Sequence, residues 1–232
     1  MNFKNNKMCR RFVVADIHGC AATFAALLAQ LDVQRCDTLY LLGDYVDRGP
    51  HSKLVLDRIL ALQADGYALR PLRGNHEQLL LDALDDHEVL ILWKENGGCS
   101  TLQDFGVTHP AEIPQHYLDF LASLPLLHRL DDYLLVHAGL DFRQADPLGE
   151  SRPIDLLWTR DYWVDRSKLA GLTLVTGHSV TPLFSIKESL ATCHIKLDNG
   201  CYIKGEMAYG ALVALDLDRR ELAVAQNCDE VA

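Results

Sequence analysis

The 232-residue chain lacks any paired-cysteine signature. Its seven cysteines (Cys9, Cys20, Cys36, Cys99, Cys193, Cys201 and Cys228) are odd in number, and none stands in C-x-x-C spacing. That argues against a zinc ribbon and against a disulfide framework, so they read as reduced, mostly buried thiols. No apolar run reaches the length needed to span a bilayer. The opening MNFKNNKMCRRF is basic but has no apolar core and no small-residue cleavage site. It does not read as a signal peptide, and residues 1–10 read as a flexible N-terminus of a cytoplasmic protein. Basic charge is scarce: 22 Lys and Arg stand against 32 Asp and Glu, a formal net charge of −10. Nucleic-acid binding normally needs a Lys/Arg patch, so neither nucleic acid nor a membrane is an expected partner. No internal repeat and no Pro/Gly/Ser-rich linker divides the chain, which reads as a single domain over residues 1–232.

What is present is a regular alternation. Short apolar runs at 11–15, 38–43, 67–73, 133–137, 172–177, 193–197, 211–217 and 221–226 read as strands. Between the early ones, 21–31 and 52–63 place apolar residues at i, i+3, i+4 and i+7, the helical spacing; 77–93 and 111–124 follow as further helices. The order βαβαβα, then helices, then mainly strands predicts an α/β fold. Its early strands should be parallel, with a second sheet or an antiparallel extension at the end.

Polar residues cluster where these strands stop. VVADIHG puts Asp16 and His18 just past the first, and LLGDYVDRG puts Asp44, Asp47 and Arg48 past the second. LRGNHE puts Arg73, Asn75 and His76 past the third, and LLVHAG and LVTGHS end on His137 and His178. Open α/β sheets bind ligands at the carboxyl ends of their strands, so these five loops predict one convergent site. Asp, His and Asn together mix hard oxygen with borderline nitrogen donors, which suits Mn²⁺, Fe or Zn²⁺. Three histidines and two aspartates exceed the needs of one ion, and two ions sharing a carboxylate would use them all. Arginines beside them suit phosphate oxygens. Trp93, at a helix end, reads as core packing. His51, His87, His109, His116, His128 and His194 read as structural or solvated.

Taken together, ADIHG, GDYVDRG, GNHE, His137 in VHAG and His178 in TGHS resemble the phosphoprotein phosphatase family of metallophosphoesterases. The short length, NGG at 96–98 and LWTRD at 157–161 resemble its small bacterial and phage branch, of which bacteriophage lambda protein phosphatase is an example. The resemblance implies a calcineurin-like four-layer sandwich, two central β-sheets flanked by helices. It implies two divalent cations, Mn²⁺ foremost. Asp16 and His18 would hold the first, Asp44 would bridge, and Asn75, His137 and His178 would complete the second. It makes His76 a general acid oriented by Asp47, and Arg48, Arg160 and Arg73 the grips on the substrate phosphate. Three departures stand out: Ala15 replaces a family glycine, LDNGC (197–201) replaces a more usual LDTG-like sequence, and IKGEMAYG (203–210) is unusual and reads as a short loop near the cleft.

The function expected from this resemblance is a metal-dependent serine/threonine protein phosphatase. It would act on a phosphorylated protein or peptide, and on phosphotyrosine also, with hydroxide held between the ions attacking phosphorus. The alternative is a nucleotide hydrolase resembling the symmetrical diadenosine tetraphosphatases, which share the metal motifs but more often read GNHD. Glu77 in GNHE favours the phosphatase in this reading. A non-catalytic module keeping a relic site is disfavoured because every expected ligand is present.

Overall fold

The computed structural model describes residues 9–160 and 162–230. Parallel strands β1 (Arg11–Val14), β2 (Thr38–Leu41) and β3 (Ala68–Pro71) are linked by helices α1 (Ala21–Leu31) and α2 (Ser52–Ala64). Helices α3 (Asn75–Asp82), α4 (His87–Trp93), α5 (Cys99–Phe105) and α6 (Gln115–Ser123) follow. A second sheet is then built from β4 (Leu127–Arg129), β5 (Tyr133–Val136), β6 (Thr173–Thr176) and β7 (His194–Lys196). Helices α7 (Pro147–Glu150), α8 (Pro153–Trp158) and α9 (Leu183–Ser189) lie between its strands. The hairpin β8 (Ala211–Asp216) and β9 (Glu221–Gln226) returns to the first sheet, antiparallel to β1. The strand orders are β3-β2-β1-β8-β9 and β4-β5-β6-β7. The second sheet and the antiparallel extension, set as alternatives by the sequence, both occur.

Strand alternation explains the layers. Successive side chains leave a strand on opposite faces. Phe12, Val14, Leu212 and Ala214 therefore pack with the helices around α1 and α2. Their neighbours Val13, Val213 and Leu215 meet Tyr133, Leu135, Val175 and Ile195 of the other sheet. The outer face of that second sheet, Leu134, Val136 and Leu174, is covered by Leu140, Leu156 and Leu169. Each sheet thus has two apolar faces, the pattern expected when both are covered. The result is the four-layer sandwich that the resemblance implies, two central sheets flanked by helices.

Three readings are corrected. The helix expected over 77–93 is two helices, because the Asp86 carboxylate caps α4 by accepting from the amides of Glu88 and Val89. The thiols are not mostly buried: Cys20 and Cys201 are, Cys193 is half-buried, and Cys9, Cys36, Cys99 and Cys228 are exposed. Of the N-terminal stretch expected to be flexible, residues 1–8 lie outside the described residues. Arg10, inside them, is pinned: its guanidinium sits 2.6 Å from Asp37, and its amide donates to the same carboxylate. Among the described residues no helix is long and apolar enough to cross a membrane.

One histidine outside the five polar loops, His194 at the start of β7, has a measurable consequence. Burial, with a smaller push from Lys196, lowers His194 to about 4; Thr176 Oγ1 lies 2.9 Å from its Nε2. An unfolded histidine titrates near about 6.5. Between these values the unfolded chain binds the extra proton. Stability is therefore complete above about 6.5 and is lost as pH falls towards 4, by roughly 3 kcal/mol at most. Urea unfolding of His194→Gln should show a shallower loss across that window than the parent. Identical slopes would mean that this imidazole does not titrate differently in the two states.

Candidate metal centre and active site

The five polar loops do converge. Ile17 and His18 donate their amides to the Asp44 carbonyl at 3.0 and 2.8 Å, and Gly19 donates to the Tyr45 carbonyl at 2.8 Å. These bonds lace the loop after β1 to the loop after β2. The His178 amide donates to Asp16 Oδ2 at 2.9 Å, joining the end of β6 to the end of β1 across the two sheets. Several of these loops are held in left-handed backbone, where a residue other than glycine costs about 1–3 kcal/mol. His18, Asp44, Asp47, Arg48 and His178 all have φ between 46° and 72°. Such strain persists only where the surroundings over-determine it.

Glu77 is one of the groups that does so. Its carboxylate is fully buried and accepts the amides of Asp44 (2.8 Å), Tyr45 (2.7 Å), Gly74 (2.8 Å) and Val46. It therefore fixes the turn that presents Asp44. Burial, and after it the Asp44 carboxylate, pushes Glu77 up to about 7. The nearby Gly74 has no room for a side chain, because a Cβ there would lie 2.2 Å from Asp44 Oδ1.

Two sets of ligand atoms result. His18, Asp44 and His76 bring theirs within 4.8 Å of one another, and so do Asp44, His137 and His178. Asp44 belongs to both sets. His137 Nδ1 faces the Leu42 carbonyl at 2.9 Å and must donate to it, which leaves Nε2 with a lone pair. That lone pair points at Asn75 Oδ1, 2.8 Å away, and lies 3.4 Å from Asp44 Oδ1. Burial lowers His137, and it lowers His178 to about 2, so both rings are neutral near pH 7. At His137 Nε2 and Asn75 Oδ1 two acceptors thus meet with no hydrogen between them. In addition, Asp16 Oδ1 and His178 Nε2 are buried without a hydrogen-bond partner among the described residues. Burial, then the carboxylates of Asp198 and Asp44, drives Asp16 well above the usual carboxylate range. Buried, converging acceptors of this kind are stabilised by cations. The donor set fits divalent metal ions.

The acid–base pair is also in place. His76 Nδ1 lies 2.7 Å from Asp47 Oδ2. The same oxygen accepts Trp93 Nε1 at 2.8 Å, and Thr101 Oγ1 donates to Oδ1 at 2.6 Å. Asp47 is therefore clamped, and His76 Nε2 is left 4.0 Å from Asp44 Oδ2. Burial opposes protonation of His76, but Asp44 and Asp47 more than offset it and the group is raised.

The arginines divide. Arg48 Nη1 donates to His18 Nε2 at 2.6 Å, and Arg160 Nη1 donates to the His178 carbonyl at 3.2 Å, so both stand beside candidate ligands. Arg73 does not belong with them. Its guanidinium is taken up by Gln78 Oε1 and by the carbonyls of Ala122 and Leu124 at the end of α6. Three participants escaped the sequence reading. Trp93 is core packing, fully buried, yet it also donates to Asp47. Thr101 carries no motif. Asp198 is buried with Oδ2 unpartnered among the described residues, and only the atypical LDNGC marked its surroundings.

Relatives now bear on the chemistry. A bis(5'-nucleosyl)-tetraphosphatase, symmetrical, of Acidovorax ebreus (strain TPSY) is 38% identical over 134 residues, 56% of this chain and 43% of that protein. Its namesake in Hamiltonella defensa is 33% identical over 179 residues, 74% of this chain and 59% of that protein. The chain thus spans about half the length of these relatives. Among solved structures, a candidate diadenosine tetraphosphatase superposes with TM-score 0.69 at 20% identity over 97% of this chain and 96% of that one. A protein serine/threonine phosphatase from Saccharomyces cerevisiae superposes with TM-score 0.60 at 16% identity over 98% and 83%. The structural likenesses show the fold alone.

The sequence relatives overturn the reading as a serine/threonine protein phosphatase of the lambda type, and with it the phosphorylated protein or peptide as substrate. The structure explains why that inference failed. It leaned on Glu77, whose carboxylate faces four backbone amides and is fully buried, so it reports on the turn and not on the substrate. Strand-end ligands, a shared carboxylate and a clamped His–Asp pair are the makings of metal-assisted phosphoester hydrolysis. The model of the calcineurin-like phosphoesterase family matches residues 10–210, and the chain belongs to that family.

Proposed function

We propose that this protein is a dinuclear metallohydrolase of dinucleoside polyphosphates, cleaving a tetraphosphate bridge symmetrically. The observation that carries the substrate class is the 33–38% identity to enzymes named for that reaction. Asp16, His18 and Asp44 would hold one ion, and Asp44, Asn75, His137 and His178 the other, with Mn²⁺ the first candidate. Two such ions lower the pKa of water and clamp phosphate oxygens. The chain's own groups do the rest. Arg48 and Arg160 meet negative charge growing on the phosphoryl oxygens. His76, oriented through Nδ1 by Asp47, carries a proton at Nε2 towards the departing oxygen. Residues 1–232 act as one domain in this reading, in the cytoplasm.

The test strips the protein of metal, restores Mn²⁺, and offers diadenosine tetraphosphate and a phosphoserine peptide in parallel. The expected result is faster turnover of the dinucleotide, with ADP as the sole nucleotide product. Release of ATP with AMP, or preference for the peptide, would refute it.

The leaving group sharpens the role of His76. A nucleoside diphosphate departs as a stable anion, whereas an alkoxide needs a proton. His76→Asn should retain Mn²⁺ binding and lose about 10²–10³-fold on an alkyl phosphate, but only about tenfold on diadenosine tetraphosphate. Equal losses on both would count against the acid role.

A further inference from the structure

A cleft of about 510 Å³ opens beside the centre, and Arg48, His51, Gln103, Tyr202 and Lys204 line part of it. That is within the size range of small-ligand sites. It shares a wall with the candidate metal centre: Arg48 donates to His18 at 2.6 Å, and the Tyr202 ring stands edge-on to the His18 ring at 5.1 Å. The Arg48 guanidinium lies over the Tyr202 ring, 4.8 Å from its centroid. A guanidinium held over a phenol ring places a cation beside an aromatic face.

The loop bearing Tyr202 is built to hold this shape. Ile203 donates its amide to the Gly200 carbonyl at 2.8 Å, and Asn227 Nδ2 donates to the Cys201 carbonyl at 2.6 Å. Lys204 Nζ donates to the Asp229 carbonyl at 2.5 Å, which fixes a second cation at the rim. The acid in the lining, Asp104, is already engaged by the Lys53 amide at 2.6 Å and by His51 at 3.7 Å. A chain of net charge −10 thus presents a cleft with two cations, Arg48 and Lys204, and an aromatic wall.

We propose that this cleft is a nucleoside subsite, in which a base stacks against the Tyr202–Arg48 wall while its phosphates run past Arg48 to the metal centre. The assignment rests on the proposed function and extends it by naming where one nucleotide of the substrate sits. It also gives a role to the atypical segment after LDNGC, which contributes Tyr202 and Lys204. Aromatic stacking tolerates any base, so the subsite selects for a nucleoside and not for adenine.

The experiment is calorimetric binding to the Mn²⁺-loaded protein of ADP and of methyl diphosphate, which has the same diphosphate ester without the nucleoside. The parent should prefer ADP by about tenfold or more, the usual weight of one stacked base. Tyr202→Ala and the bulkier Tyr202→Leu should both erase the preference, and Tyr202→Phe should keep it. Equal binding of the two probes by the parent, or a preference that survives in Tyr202→Leu, would overturn the subsite. A preference that behaves as expected in a protein unable to cleave diadenosine tetraphosphate would uphold the subsite and refute the proposed function, so the two ideas fail separately.

Discussion

Asp44→Asn will abolish the stabilisation of this protein by Mn²⁺ while leaving the metal-free fold intact. Asp44 belongs to both ligand sets, with Oδ1 3.4 Å from His137 Nε2 and Oδ2 3.4 Å from His18 Nε2. Burial would push its carboxyl up, but the surrounding imidazoles, His137 first, more than offset that and hold it below the usual range. Asparagine keeps the shape and can still accept the His76 amide, which reaches Asp44 Oδ1 at 3.0 Å. It removes the charge that two cations would share. Losing a residue that merely supports a ligand costs about 10–100-fold in metal affinity, so losing a shared ligand should cost more than about 100-fold. A ligand that binds only the native state raises apparent stability by mass action. The check is thermal unfolding with and without Mn²⁺, beside metal content after gel filtration. An equal Mn²⁺-dependent rise in parent and mutant would rule out Asp44 as the shared ligand.

Glu77→Gln will be the most destabilising of the substitutions considered. The carboxylate serves four amides, those of Asp44, Tyr45, Val46 and Gly74, from a fully buried position. Glutamine has one acceptor oxygen, and its amide nitrogen would face N–H groups that also donate. Two buried donors then go unpaired beside a turn already strained at Asp44, where φ is 53°. Leaving buried donors of this kind unpaired costs about 1–3 kcal/mol each, so about 3–5 kcal/mol for the two that the glutamine nitrogen would face. For a chain of this size each kcal/mol moves Tm by roughly 2–4 °C, so a fall of roughly 6–20 °C is expected. Glu77→Asp keeps the charge on a shorter arm and should cost less than half as much. Urea unfolding of the two variants decides it; a Glu77→Gln protein within about 1 kcal/mol of the parent would show that the turn holds itself.

What the sequence determined by itself was local and periodic. Apolar alternation marked the strands, and the residues just past them marked the site, because in this kind of sheet function collects at strand ends. Asp16, His18, Asp44, Asn75, His76, His137 and His178 were all legible for that reason, and the structure brings them together. Tertiary structure alone decided what each group faces. Arg73 follows a strand end as Arg48 does soon after another, yet the end of α6 captures its guanidinium. Trp93 and Thr101 reach Asp47 from 46 and 54 residues away, a distance at which no pattern in the chain can pair them. Glu77 reads as part of a substrate-linked motif and proves to be a clamp on backbone amides. A motif records which residues stand together along the chain. Whether a side chain meets solvent, a ligand or a neighbouring amide depends on how non-adjacent segments pack, and that is settled only when the loops fold against one another.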